Sequence, residues 1–406
     1  MLHGIRVVEW AEGVAGPLAA LRLGDLGAEV IKLEAKTGDW LRQAAPVITG
    51  TDISAAFFAL NRGKRSVALG SEPCAAAPLL RRLLARADVL ITDRSEDELR
   101  DIGLGEILQV PWRENPGLVI ADVTAWGATG PWAGLPGSEL TVQAMAGYTR
   151  YLGSAQEAPR RLGADVASTG AAIFTVQAVL AALLWRGRGG TGQRVSTSLL
   201  NTLISMKSIQ LAAQSDPDQY AGPRVGGANF PPERGWRTAT RPIFFAFGGS
   251  VGAEGRPGWQ QFIEEIGLKE VLEGKGLDPS GRDCTGFGSR VHEMREIYES
   301  AFTRYPAAEL VERIRAVGAI AAEYMPADEA MAHPQTAALE IVRETKRGHG
   351  DAMATHTAFP ARFSGMRPLH RGVAPRLGEH TGVIVAECGF REAEIVDLVR
   401  AGGIVE

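Results

Sequence analysis

Apolar residues in the first half of the chain follow two alternating periods. Short β-rich runs, each bounded by turn or polar residues, occur at residues 5–10, 29–33, 66–69, 89–92 and 118–123. Between them lie helical patterns, with leucines at helical spacing over residues 18–26 and a second stretch at 78–85. Buried strands and amphipathic helices have these two periodicities. The alternation predicts an α/β fold with a doubly wound, mostly parallel sheet.

The composition of the sequence changes after the glycine-rich stretch at 189–192. Residues 214–260 are rich in glycine, proline and aromatic residues, which is typical of a crossing between domains. Amphipathic patterns then predict helices at 259–272 and 307–317, and a final helix at 391–401.

These patterns divide the 406 residues into two domains, as expected for a chain of this length. The first is a large α/β domain, and the second is smaller and of α+β type. The predicted parts are the large domain at 1–213, the smaller domain with its linker at 214–330, and a C-terminal segment at 331–406 that returns to the large domain.

Composition and charge exclude some classes of partner. The net charge is −4, so no broad basic field is present and we expect no nucleic-acid partner. The longest apolar stretch, residues 171–185, is shorter than the roughly 18 residues of a membrane span and is interrupted by Thr175 and Gln177. We expect a buried core helix there and no membrane partner.

The cysteines indicate a reducing compartment. Cys74, Cys284 and Cys388 lie far apart and form no CxxC pattern, so they predict neither a disulfide framework nor a metal site. The first residues lack the charged-then-apolar layout of a signal peptide. We therefore expect a cytoplasmic protein without a metal.

Small residues follow the first predicted strand, at Val14, Ala15, Gly16 and Pro17. In an open α/β sheet this is the carboxyl end of a strand, where ligands lie. Small side chains there would let the backbone contact a ligand. An ordinary helix start with proline in its first turn is the alternative. The stretch is not a GxGxxG fingerprint, so a nicotinamide cofactor is not indicated.

Three cations fall within four positions at residues 62–65, and a glycine between them lets the backbone approach a ligand. Arg62, Lys64 and Arg65 would suit the phosphates of an anionic ligand. A solvated basic loop before a strand is the alternative.

Seven stretches, in order along the chain, resemble the family III CoA-transferases, which include formyl-CoA, carnitine and benzylsuccinate CoA-transferases and the α-methylacyl-CoA racemases. They are residues 2–42, 57–69, 87–93, 126–137, 180–200, 333–335 and 374–381. The resemblance implies a large Rossmann-like domain built from both chain ends, and a dimer of two interlocked rings. It also implies coenzyme A and acyl-CoA as substrates, with no permanently bound cofactor.

The resemblance gives several residues a CoA-binding role. It implies that Val14, Ala15, Arg62, Lys64 and Arg65 bind CoA. Asp93 stands where the family commonly has asparagine. Because an ionised Asp only accepts hydrogen bonds, a helix or turn cap is the alternative to a CoA contact at that position.

The catalytic carboxylate departs from the family pattern. The resemblance implies a nucleophilic Asp before the alanine-rich helix, but the ungapped register places Ser168 there. Asp165, three residues earlier, is the predicted nucleophile, either from one helical turn away or through a local shift of the loop. The alternatives are that Asp165 only caps the helix, or that the usual nucleophile is lost. Serine cannot simply replace Asp, since its ester would not readily re-form a CoA thioester.

Two further positions are possible active-site residues. The family's racemases use a Gly-His-Asp triplet, and the matching positions here are Gly137, Ser138 and Glu139, so racemisation is not expected. Glu139 is a candidate general base or else a surface acid. Gly248 and Gly249 fall where some family members have a glycine loop over the active site, with an interdomain turn as the alternative.

The predicted function is transfer of CoA from an acyl-CoA donor, with succinyl-CoA as a candidate, to the carboxylate of a small organic acid. The intermediate would be a covalent adduct of Asp165. One alternative is a non-catalytic subunit in a heteromer with a related chain, of the benzylsuccinate type, in place of a homodimer. The other is a CoA-ester isomerase or lyase on the same fold.

Overall fold

The structure is a computed structural model, and it describes residues 1–49, 51, 53–107, 111–149, 158–213, 215, 235–246, 257–280, 291–346, 353–370 and 372–405. The chain divides into two compact units. The large unit contains Met1–Leu152, Pro159–Met206 and Pro334–Glu406, and the small unit contains Gly153–Ala158 and Lys207–His333. Both ends of the chain therefore belong to the large unit.

Strands and helices alternate along the first 205 residues, as the apolar periods predict. The elements are β1 (Arg6–Trp10), α1 (Ala15–Asp25), β2 (Glu29–Glu34), a 3-10 helix (Trp40–Gln43), α2 (Ala55–Asn61), β3 (Arg65–Ala68), a second 3-10 helix (Pro73–Ala76), α3 (Ala77–Leu84), β4 (Val89–Thr92), α4 (Glu96–Asp101), α5 (Pro111–Glu114), β5 (Val119–Thr124), α6 (Glu139–Met145), α7 (Val166–Gly187), β6 (Arg194–Ser198) and α8 (Leu199–Ser205).

The rest of the chain is mostly helical. Its described elements are α9 (Ser208–Ala213), β7 (Ile243–Ala246), α10 (Pro257–Glu265), α11 (Lys269–Gly274), α12 (Val291–Phe302), α13 (Ala307–Ala316), β8 (Ile320–Glu323), α14 (Ala327–Ala332), α15 (Pro334–Leu339), β9 (Val342–Lys346), β10 (Met353–Thr357), α16 (Thr381–Glu387) and α17 (Glu392–Arg400).

Six parallel strands form the sheet of the large unit, in the order β3-β2-β1-β4-β5-β6. The order reverses between β1 and β4, as in doubly wound nucleotide-binding folds. The predicted α/β fold with a parallel sheet is confirmed. The sheet is buried on both faces, which explains why the central strands are continuous apolar runs.

The two faces of the sheet have separate cores. Val7 and Val89 point into one core, together with apolar residues of α1, α7 and α8. Val8 and Leu90 point into the other, which is built from α3, α16 and α17. The C-terminal helices thus cover the same face as α3.

Strand β6 is absent from the sequence predictions. Its residues, RVSTS, are mostly polar and lie at the edge of the sheet, where only Ser198 is buried. An edge strand needs no continuous apolar run, since one of its sides has no neighbouring strand. The hydrophobic pattern could not reveal it.

Helix α7 extends the predicted core helix to 22 residues. It packs along α1, β5 and β6. It is long and apolar enough to pass a membrane-span criterion, with 44% of its most apolar window buried, but the core helix of a soluble protein passes the same test. Its packing along the sheet fits the predicted core helix.

The small unit has its own core, in which β7 pairs antiparallel with β8. Aromatic rings fill the space between this strand pair and α10, α12 and α13. Trp236 stacks on Phe245 at 5.2 Å between ring centroids, and Phe245 stacks on Trp259 at 5.0 Å. Such rings bury large areas and prefer offset arrangements.

A buried set of charges, which we call the core charge network, joins β1, β2 and the chain before β3. Lys32 Nζ lies 2.6 Å from Glu9 Oε1 and 3.0 Å from Asp39 Oδ2, and it donates to the Ala11 carbonyl at 2.8 Å. Lys64 Nζ lies 2.6 Å from Glu9 Oε2. All four side chains are essentially inaccessible to solvent.

Each charge in the core charge network is balanced at short range. Burial alone would lower the pKa of Lys32, but the carboxylates of Glu9 and Asp39 outweigh burial and raise it. The charged form of Lys32 is therefore retained. Removing one partner of such a set costs more than the pair contributes, because an uncompensated charge stays buried.

We expect Lys32→Met to destabilise the large unit by about 3–5 kcal/mol, because Asp39 loses its ammonium partner and Glu9 loses one of two. A urea titration followed by hydrogen exchange of the β1 and β2 amides measures the change. Arg100→Met is the matched control, since the Arg100–Asp97 pair is exposed, and it should cost less than about 1 kcal/mol. Equal losses in the two variants would contradict the assignment.

Candidate active site

The carboxyl edge of the sheet, where β1, β4 and β5 end, carries the N-termini of α1 and α7. Helix α1 follows β1 directly. Helix α7 runs towards the opposite edge, where Arg186 donates to Asp88 at 2.8 Å and to the Gly117 carbonyl at 3.0 Å, just ahead of β4 and β5. Because α1 packs against α7, the two neighbouring helices both begin at the edge where ligands of this fold class lie.

Two carboxylates hold the loop between β1 and α1. The Glu12 amide donates to Asp93 Oδ2 at 2.9 Å, and the Gly13 amide donates to Asp39 Oδ1 at 3.3 Å. Gly13 has φ +73°, a conformation that favours glycine. The loop is therefore held by side chains that follow β2 and β4, and the Glu12 side chain adds an ion pair with Arg94.

The start of α1 is open to a ligand. Val14 occupies the N-cap position, and no side chain caps the helix. A Cβ atom on Gly16 would lie 2.4 Å from Ala11 Cβ, so only glycine fits against β1 there. The predicted CoA contacts at Val14 and Ala15 therefore fall at an uncapped helix N-terminus, which favours anions and polarised carbonyl oxygens.

Asp93 lies beside this loop and accepts from the Glu12 amide. Burial raises the pKa of Asp93 to about 6, although the Glu12 amide and the Arg94 guanidinium oppose that shift. The cap of the following helix, α4, is Ser95, so Asp93 holds a distant loop instead of capping α4, and a CoA contact at Asp93 stays a prediction.

Asp93→Asn tests this account through pH. The folded-state pKa lies above the ordinary value, so the folded protein binds more protons between pH about 4 and 6, and ionised Asp93 reduces stability above that range. Asparagine keeps an oxygen for the Glu12 amide but carries no charge. We expect Asp93→Asn to be more stable than wild type by about 1–2 kcal/mol at pH about 7.5, with little difference at pH about 4.

Urea unfolding at the two pH values measures the difference. Asp97→Asn, on the exposed surface of α4, provides the value for a solvated aspartate. A stability difference for Asp93→Asn that does not change with pH would contradict the account.

The ammonium group of Lys64 contacts groups of the protein itself. It donates to the Pro17 carbonyl at 2.9 Å and to Asn61 Oδ1 at 2.7 Å, and it forms an ion pair with Glu9 Oε2 at 2.6 Å. Burial lowers the pKa of Lys64 to about 8, against the effect of Glu9. Because the side chain is buried and its contacts are internal, this geometry argues against the predicted contact between Lys64 and a CoA phosphate.

Arg62 and Arg65 lie at the start of β3, near the amino edge of the sheet. Arg65 pairs with Glu29 at 2.6 Å and with Glu387 at 2.8 Å, which ties β3 to β2 and α16. Arg62 is 3% exposed and donates to the Thr357 carbonyl at 3.3 Å, while its Nε has no hydrogen-bond partner among the described residues. A single ligand group could not touch these residues and the start of α1 together.

Asp165 stands at the N-cap position of α7, but its side chain makes no capping hydrogen bond. It is 45% exposed and lies 3.4 Å from the guanidinium of Arg161. The alternative that Asp165 caps α7 through its side chain is therefore not what the structure shows. Its role as nucleophile stays a prediction.

Glu139 supplies the cap of α7. Its Oε1 accepts from the Ala167 amide at 2.8 Å and from Gln143 Nε2 at 2.7 Å. Its Oε2 accepts from the Ser168 amide at 2.8 Å and from the Ser168 hydroxyl at 2.7 Å. Glu139 and Ser168, predicted separately as possible active-site residues, are thus brought into direct contact.

The charge on Glu139 is stabilised by these donors. Burial would raise the pKa of Glu139, but the hydrogen bonds from Gln143, Ser168 and the two α7 amides together hold it below its ordinary value. A half-buried carboxylate, ionised at neutral pH, therefore lies against the residue where the family resemblance places the nucleophile. Gly248 and Gly249 lie outside the described residues.

Comparison with known proteins agrees with this architecture. The model of CoA-transferase family III matches residues 2–381. A probable fatty acyl-CoA transferase of Mycobacterium tuberculosis, Rv3272, is 30% identical, over 95% of this chain and 97% of its own. The succinate–glutarate CoA-transferase of Agrobacterium fabrum is 30% identical over 95% of each chain. The succinyl-CoA:(R)-benzylsuccinate CoA-transferase subunit BbsE of Thauera aromatica is 28% identical, over 98% of this chain and 97% of its own.

Solved structures show the same fold. A CAIB/BAIF family protein from Brucella suis superposes with a TM-score of 0.79 at 26% identity, covering 95% of this chain and 99% of its own. Rv3272 superposes with a TM-score of 0.76 at 28% identity, covering 94% and 98%.

Proposed function

Because this chain belongs to the family III CoA-transferases, we propose that it moves CoA from an acyl-CoA donor to the carboxylate of a small organic acid through a covalent intermediate. The observation that carries the proposal is the carboxyl edge of the sheet. There an ionised carboxylate is held at the N-terminus of α7, and the N-terminus of α1 at the same edge is uncapped. A thioester bound at this edge would meet a nucleophile, and the amides of a helix N-terminus would be donors for its oxygen.

The chemistry needs a carboxylate because CoA is exchanged without hydrolysis. An enzyme carboxylate attacks the thioester carbonyl, the C–S bond breaks, and a mixed anhydride and CoA thiolate form. The thiolate then attacks the enzyme's acyl carbon, which releases the first acid and leaves an enzyme thioester. The acceptor acid repeats the two steps in reverse. Asp165 is the sequence-predicted carrier.

Succinyl-CoA is the donor that we propose, with a small dicarboxylic acid as acceptor. The support comes from relatives whose names include succinate–glutarate and formyl-CoA:oxalate CoA-transferases.

Partner dependence is a second candidate, favoured by three observations. Ser168 stands where the resemblance places the nucleophile, and one relative is named as a subunit. Large apolar side chains also stay exposed along α7 and α8, at Ile173, Leu184, Trp185, Ile204 and Met206. We propose that another family III chain, identical or related, covers this face in an interlocked dimer, since exposed apolar surface of this kind marks interfaces.

We expect the purified chain to convert succinyl-CoA and glutarate into glutaryl-CoA and succinate, measured by mass spectrometry of the CoA esters. Native mass spectrometry in the same preparation should show a dimer. Activity that requires a co-expressed related chain supports the heteromeric form. Absence of exchange in both arrangements, over a panel of dicarboxylic acids, contradicts the proposed function.

A further inference from the structure

We infer that Glu139, rather than Asp165, is the carboxylate that carries the acyl group and then CoA. The inference rests on the proposed function. It assigns the covalent step to the carboxylate of Glu139, which lies over the first turn of α7.

Asp165 and Glu139 differ in how they are held. The Asp165 carboxylate is nearly half exposed and lies 3.4 Å from the guanidinium of Arg161. A carboxylate in that setting keeps much of its hydration, and water would compete for its anhydride. Glu139 is half-buried and accepts four hydrogen bonds of 2.7 to 2.8 Å, which fix both of its oxygens. Fixed geometry of this kind is what acyl transfer requires.

The donors around Glu139 suit the charges that develop during the reaction. The amides of Ala167 and Ser168 both point out of the first turn of α7, and the Ser168 hydroxyl joins them. When Oε1 carries the acyl group and a thiolate attacks Cδ, negative charge forms on Oε2, which the Ser168 amide and hydroxyl already contact. Donors at 2.7–3.1 Å from an oxyanion have the geometry of an oxyanion hole.

The ionisation of Glu139 agrees with this role. Hydrogen bonding keeps its pKa below the ordinary value, so it is a carboxylate at neutral pH without a separate base. A weaker base is also a better leaving group from a mixed anhydride. The same property makes Glu139 a poor base for Ser168, so we assign the Ser168 hydroxyl to donation and not to attack.

Each covalent step is balanced within the groups named. Glu139 Oε1 gives up its hydrogen bond from Gln143 Nε2 and bonds to the acyl carbon as the C–S bond breaks and CoA thiolate leaves. The thiolate bonds to Cδ of Glu139 as the donor acid leaves as a carboxylate. The acceptor carboxylate then attacks Cδ, releases the thiolate, and receives it back at its own acyl carbon, which regenerates Glu139. No proton, oxidant or metal enters the sequence.

The experiment locates the adduct. The full chain is incubated with succinyl-CoA, alone and with a co-expressed related chain, and the glutamyl thioester is trapped with hydroxylamine as a hydroxamate. Peptide mass spectrometry identifies the labelled residue. We expect the hydroxamate on Glu139 in the wild type and none at this position in Glu139→Gln.

Two further variants separate chemistry from folding. Glu139→Asp keeps the charge but retracts the carboxylate by one methylene, and we expect labelling about 100-fold slower with unchanged CoA binding. Ser168→Ala removes one donor, and we expect exchange about 100-fold slower. Glu394→Gln, which alters a helix-capping glutamate of α17, is the matched control and should label at the wild-type rate.

Three results would overturn the inference and leave the proposed function standing. They are a hydroxamate on Asp165, a hydroxamate only on the related chain, and exchange at the wild-type rate in Glu139→Gln. Absence of CoA exchange in every arrangement would instead remove the proposed function, and the inference with it.

Discussion

The carboxylate of Glu9, bound between the ammonium groups of Lys32 and Lys64, is the interaction on which the active edge depends. Lys32 also holds Asp39, and Asp39 accepts from the amides of Gly13 and Leu41. A line of charge-assisted contacts thus leads from the interior of the sheet to the loop before α1. Because every member is buried, small displacements are costly and the loop keeps one position.

Acidic side chains make different contacts at the starts of the two helices at this edge. At α1, acidic side chains bond the loop that precedes the helix, and the helix N-terminus stays uncapped. At α7, the acidic side chain of Glu139 caps the helix itself. The two positive helix ends at this edge therefore serve different purposes. The N-terminus of α1 is open to a ligand oxygen, and the N-terminus of α7 holds an enzyme carboxylate.

The sequence predicts those parts of the fold that depend on local pattern. The central strands are buried on both faces, so their apolar runs identify β1 to β5, whereas polar β6 lacks that signal. The hydrophobic pattern does not predict the direction in which a side chain points. Lys64 and Arg65 are adjacent, yet one is fully buried beside Glu9 and the other joins Glu29 and Glu387.

The site was predictable only in part, for a related reason. Both Glu139 and Ser168 stand out in the sequence, but 29 residues separate them, and no spacing rule indicates that they touch. Asp165 is the carboxylate nearest to Ser168 along the chain, which makes it the residue that the sequence predicts as nucleophile. The contact that forms depends on the path between α6 and α7, which the hydrophobic pattern leaves open.

Segments from both ends of the chain cover the sheet, and this affects folding during synthesis. Helices α16 and α17 complete the core on the face of α3, and Leu69 pairs with Ile404. During synthesis, the strands up to β6 emerge long before those helices, with one apolar face uncovered. Pairing across more than 300 positions is slow and leaves that face open to association. The nascent large unit therefore keeps apolar surface exposed until α16 and α17 have emerged from the ribosome.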